Sequence, residues 1–114
     1  MNPNEMQEML QRAQQMQSKV TELQAELATR RYEASAGGGM VTAAVSGALR
    51  VLSLEIEPTL IAANGDNDRA MIQDLTAAAV NAALSKAQEE VGQEMTRMQS
   101  SMLAGMPGLP GMGN

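Results

Sequence analysis

The sequence predicts an α+β fold: a long N-terminal helix, a three-stranded antiparallel sheet, a C-terminal helix and a Gly/Pro/Met tail. Three observations carry that prediction. Apolar residues first recur in steps of three and four; short strand-like runs punctuated by glycine then take over; an alanine-rich helical period follows.

The first helix is expected over residues 5–29. Met6, Met9, Ala13, Met16, Val20, Leu23 and Leu27 make a seam with coiled-coil rhythm, and no Gly or Pro interrupts it. Asn2 is placed to cap this helix, Pro3 to sit in its first turn and Glu5 to complete a capping box. At about 1.5 Å per residue the helix is roughly 37 Å long, more than so small a domain covers. Part of the seam therefore meets another chain or stays exposed.

The period then changes. "RRYEASA", "MVTAAV" and "ALRVLSLEI" read as strands, with Gly37-Gly38-Gly39 as a flexible connection between the first two. Ser46-Gly47 suits a two-residue hairpin turn between the second and third, since glycine tolerates positive φ. That register puts Val41, Ala43, Val45, Leu52, Leu54 and Ile56 on a core face, interrupted only by Arg50, which is read as a rim residue with its stem packed. Met40, Thr42, Ala44, Leu49, Val51 and Ser53 fall on the other face, where Leu49 and Val51 hint at a second subunit.

Pro58 ends the third strand because it lacks a donor for the ladder. "AANGDND", residues 62–68, is a turn cluster with Asp66 or Asn67 available as the next cap. A second helix runs from about Arg69 to Leu103, with Ile72, Leu75, Ala79, Val80, Ala83, Leu84 and Ala87 able to lie on the sheet and Gly92 expected to bend or loosen the helix. One domain thus spans residues 1–103. Residues 104–114, "AGMPGLPGMGN", are expected to be disordered.

Composition narrows the function. Among 114 residues there are 11 Met, one aromatic (Tyr32) and no Phe or Trp. Aromatic side chains bury the most area, so a core without them is thin, and an oligomer is expected. With no Cys and no His, disulfides, thiolate chemistry, imidazole bases and ordinary zinc sites are excluded. The N-terminus does not resemble a secretory signal, and no apolar run reaches the roughly 18 residues of a bilayer span. A soluble cytoplasmic protein is the expectation. The net charge of −5 argues mildly against nucleic acid.

Two motifs invite a catalytic reading and do not sustain it. The triple glycine precedes a strand, and Gly47 is followed by Ala48 rather than Lys, so neither phosphate-loop template fits. Glu55 and Glu57 share a face near a strand end, with no convergent His, Asn or basic partner, and read as a solvated edge. No catalytic, cofactor-binding or metal-binding residue is identified, and the chain is not read as an enzyme.

Three segments resemble the YbaB/EbfC family of bacterial nucleoid-associated proteins: "MLQRAQQMQSKVTELQAEL" (9–27), "SAGGGMVTAAVSGALRVLSLEIEP" (35–58) and "DLTAAAVNAALSKAQEE" (74–90). The Gly/Pro/Met tail is also typical, and the similarity covers essentially the whole chain in order. The resemblance implies a small cytoplasmic homodimer with protruding helices in a tweezer-like outline, which binds DNA, helps organise the nucleoid and performs no catalysis. Arg12 and Lys19 match positions that are usually basic in that family. Where relatives often carry hairpin lysines this chain has Ala43, Ala44 and Ala48, which removes positive charge.

The candidate DNA-binding residues are Arg12, Lys19, Arg30 and Arg31. Arg12 and Lys19 lie seven residues apart on one helix face, and Arg30 and Arg31 follow at the helix end. Read from the residues alone, Glu8, Glu22 and Glu26 make this a solvated flank; read with the resemblance, it is a phosphate-contacting surface that two-fold symmetry doubles to about eight cations. Arg69, Lys86 and Arg97 are scattered among six acidic residues, and that helix is read as mainly structural. Dimer-interface candidates are Met16, Val20, Leu23, Leu49 and Val51. The leading reading is a homodimer that grips duplex DNA mainly by its backbone with weak sequence preference, needing no cofactor, membrane or small-molecule substrate. Base stacking has only Tyr32 to use, and no recognition-helix pattern is present. The alternative is a helical protein–protein interaction module with little or no DNA affinity.

Overall fold

The computed structural model of the protein describes residues 2–62 and 66–104. In chain order the elements are α1 (Pro3–Thr29), β1 (Arg31–Ala36), β2 (Val41–Ser46), β3 (Val51–Ile56), α2 (Pro58–Ala62) and α3 (Asp66–Ala104). They divide into two compact units, one of residues 27–91 and one formed by the chain on either side of that span.

The start of α1 follows from its capping residues. The Asn2 side-chain oxygen accepts from the Glu5 N–H at 2.8 Å, and the Asn2 carbonyl accepts from the Met6 N–H at 3.1 Å. Pro3 stands at the first helical position, where a missing N–H costs nothing. The helix therefore starts where its capping residues predict, with Asn2 as the cap and Pro3 in the first turn.

In the 27–91 unit the sheet order is β1-β2-β3, antiparallel throughout. Tyr32 pairs with Val45, Ala34 with Ala43 and Ala36 with Val41, so these residues share one face. That face packs with Ala79, Ala83 and Ala87 of α3, which are fully buried, and with Leu60 of α2. Methyl side chains four residues apart let the helix come close to the sheet, and Tyr32 supplies the largest ring in an otherwise aliphatic core.

Three sequence expectations about the sheet are corrected here. The β2–β3 connection is not a two-residue Ser46-Gly47 turn; it spans residues 47–50, with the Ser46 N–H donating to the Arg50 carbonyl at 2.8 Å and Leu49 at φ 63°. The longer loop shifts the ladder, so that Ala44 pairs with Ser53 but Val45 pairs with Val51. Leu52 is the extra residue of a bulge, and Val51 rather than Leu52 continues the row of Tyr32 and Val45. As a result the second face is polar. It carries Arg31, Glu33 and Ser35, then Thr42, Ala44 and Ser46, then Ser53 and Glu55, with the Ser35 and Thr42 hydroxyls 2.9 Å apart. Arg50 lies exposed in the turn and not on the core face.

The glycines between β1 and β2 form a defined turn, with φ of +64°, +68° and +97° at Gly37, Gly38 and Gly39. A β-carbon on Gly37 would also stand 2.9 Å from both methyl carbons of Leu75. Helix α2 lies where the sequence predicts only the end of a strand. Pro58 both closes β3 and opens α2, and the Glu57 carbonyl accepts from the Leu60 N–H at 3.0 Å, which swings Leu60 into the core.

Helix α3 runs unbroken through Gly92, and a β-carbon there would meet nothing within 4 Å. Gly92→Ala is therefore expected to raise stability by about 1 kcal/mol and the melting temperature by about 4–8 °C, measured by circular dichroism. Ala104 closes α3. Residues 63–65 of the expected turn cluster, the caps expected of the Asp66 or Asn67 side chain, and residues 105–114 of the expected disordered tail lie outside the described residues.

Candidate nucleic-acid interface

Two groups of cations are on the surface, each within one unit. In the first, Arg12 and Lys19 are exposed on α1 and carry no ion pair among the described residues. They stand two helical turns apart, about 10 Å along the axis. Lys19 lines a shallow groove of about 450 Å³ with Gln11, Gln14, Gln15, Ser18 and Glu22. Amide and hydroxyl side chains beside a lysine are hydrogen-bonding partners suited to sugar and phosphate oxygens.

The expected seam on α1 is graded. Met6 and Met9 are 58% and 56% exposed, Met16, Val20 and Leu23 are half-buried, and Leu27 is buried. Leu10 is also exposed.

The second group belongs to the 27–91 unit. Arg30 and Arg31 are exposed where α1 gives way to β1. Arg31 reaches across the polar sheet face: its Nε is 2.9 Å from the Glu33 carboxylate and its Nη2 donates to Ser53 Oγ at 3.1 Å. The small Ala44 lies in the row between Glu33 and Ser53, so no bulky side chain on β2 obstructs this reach. Lys86 arrives from α3, and its Nζ donates to the Glu33 carbonyl at 3.2 Å. Arg30, Arg31, Tyr32, Glu33, Lys86 and Glu90 together line a depression of about 530 Å³.

The sequence placed Arg30 and Arg31 together but read Lys86 as structural. The gathering depends on α3 lying along β1, and no spacing in the chain signals a partner 53 residues from Glu33. Arg97 is paired with Glu94 on its own helix. Glu55 and Glu57 line a separate depression with Gly39, Thr42, Ile56 and Pro58, and no group of three metal-ligating side chains occurs among the described residues. No helix among them is long and apolar enough to cross a membrane.

The two sheet edges differ. On β3, Val51, Leu52 and Leu54 are 48%, 51% and 42% exposed, and Leu49 in the preceding turn is exposed as well. On β1, Lys86 occupies a backbone carbonyl and charged side chains surround it.

This α+β chain, with exposed cations on a helix flank and at a sheet edge, belongs to the YbaB/EbfC DNA-binding family, which its residues 1–102 match. A nucleoid-associated protein of Alkaliphilus metalliredigens is 42% identical over 107 residues, covering 94% of this chain and 89% of its own length. A nucleoid-associated protein of Pelotomaculum thermopropionicum is 39% identical over 104 residues, covering 91% of this chain and 94% of its own. The crystal structure of an uncharacterized Helicobacter pylori protein has the same fold, with a TM-score of 0.65 at 19% identity over 87% of this chain and 98% of that one.

Proposed function

We propose that this chain is a non-catalytic nucleoid-associated protein that binds duplex DNA as a homodimer, mainly through backbone phosphates and with weak sequence preference. It would act in the cytoplasm, at the nucleoid. The observation that carries the reading is that Arg12 and Lys19 are exposed, aligned and, among the described residues, free of carboxylate partners in a member of a DNA-binding family. The net charge of −5 lowers affinity without abolishing it, because phosphate contact depends on local charge. The bare apolar edge of β3 supports the homodimer: an unpaired strand lined by Val51, Leu52 and Leu54 is an invitation to strand pairing unless a second subunit covers it. Met16, Val20 and Leu23, half-buried on α1, are proposed to contribute as well.

A second reading, a helical module for protein partners, is favoured by the exposure of Met6, Met9 and Leu10, since methionine suits adaptable binding surfaces. Titrating duplex DNA at several salt concentrations separates the two. Wild-type binding should weaken steeply with salt and vary little among unrelated sequences, and the Arg12→Ala/Lys19→Ala variant should lose about tenfold affinity at low salt. Sedimentation should return twice the chain mass. Absence of binding at low salt would transfer the case to the protein-module reading.

A further inference from the structure

We infer that the depression at the β1 edge is a seat for a phosphodiester group of the duplex, with Lys86 as a DNA-contacting residue alongside Arg30 and Arg31. The inference rests on the DNA-binding reading above and adds to it a residue that lies far from the others in sequence.

The donor inventory supports it. A guanidinium has five N–H donors, and the bonds of Arg31 to Glu33 and Ser53 use two of them. An ammonium has three, and Lys86 gives one to the Glu33 carbonyl. Both cations are thus held in place by internal bonds while donors remain for a ligand, so little side-chain entropy is left to lose on binding. The lining brings three cations, Arg30, Arg31 and Lys86, together with two carboxylates, Glu33 and Glu90, on a chain whose net charge is −5. Glu33 is occupied by Arg31, and no ion pair among the described residues joins Glu90 to Lys86. The depression is open to solvent and polar, which suits an anion that remains part of a long polymer.

A structural role for Lys86, capping the exposed edge strand, uses the same bond to Glu33 and must be told apart. Lys86→Gln keeps a donor for that carbonyl and removes the charge, whereas Lys86→Arg keeps both. The test is fluorescence anisotropy of the full chain with labelled duplex DNA over a range of salt. Lys86→Gln is expected to bind about threefold to tenfold more weakly at low salt, with a salt slope shallower by about one unit for each occupied seat, and Lys86→Arg is expected to restore the slope. Thermal melts of both variants should match the wild type. If Lys86→Gln binds with wild-type affinity and slope while Arg12→Ala/Lys19→Ala weakens binding, the seat is refuted and the DNA-binding reading stands. If the wild type binds no duplex at any salt, both fall. Saturable binding of inorganic phosphate that Lys86→Gln abolishes, with the DNA slope unchanged, makes the depression a free-anion site and also overturns the inference.

Discussion

Gly47→Ala is expected to cost about 3–5 kcal/mol, a large share of the roughly 5–15 kcal/mol that holds a domain of this size together. A β-carbon at that position would stand 1.9 Å from the Leu27 carbonyl oxygen and 2.7 Å from its carbon, both backbone atoms that no rotamer change moves aside. The contact is structural on both sides. The Gly47 N–H donates to the Arg30 carbonyl at 3.1 Å, so the β2–β3 turn is fastened to the last turn of α1 through the one residue small enough to fit. Relief requires separating the two segments, which breaks that bond and uncovers Leu27. Gly38 makes the contrast: its φ of +68° is unfavourable for alanine, but nothing lies within 4 Å, so Gly38→Ala should cost only about 1 kcal/mol. Urea denaturation followed by circular dichroism measures both; a Gly47→Ala midpoint equal to wild type would contradict the packing described.

Ala83→Leu should cost about 3 kcal/mol by overfilling the space between α3 and the sheet. Ala83 is fully buried between Ala79 and Ala87, in the cluster that holds Tyr32, Val41 and Val45. Leucine propagates a helix almost as well as alanine, so the loss reports packing and not helix propensity. Ala82→Leu, on the exposed side of the same turn, serves as the control and should change stability by less than about 0.5 kcal/mol. Equal melting temperatures for the two variants would show that α3 stands farther from the sheet than the buried alanines indicate.

Much of this architecture was legible from periodicity, because burial acts on the pattern of apolar residues. The Met6-to-Leu27 seam, the alternation of Val41, Ala43 and Val45, and the Ala79, Ala83 and Ala87 row each read as helix or strand from spacing alone. The failures came where one local detail redirected several residues. Leu49 at φ 63° lengthens the turn, and the bulge at Leu52 then exchanges the faces of Val51 and Leu52. A leucine in a left-handed conformation has no sequence signature. Helix α2 was hidden because proline, read as a stop for β3, is equally a helix start. Of the site, Arg12, Lys19, Arg30 and Arg31 are all exposed as a surface role requires. Lys86 was invisible for a different reason: its neighbours are chosen by how α3 lies along β1, a tertiary fact.

The unequal edges of the sheet bear on how far copies of this chain can propagate. A strand arriving at β1 meets a lysine already bonded to the Glu33 carbonyl, with Arg31 and Glu90 beside it, whereas one arriving at β3 meets aliphatic side chains. Only one side of the sheet is therefore open to continuation. If two copies pair through that side, as proposed above, their blocked margins would face outward, and growth would end in a closed pair with no route to an endless fibre.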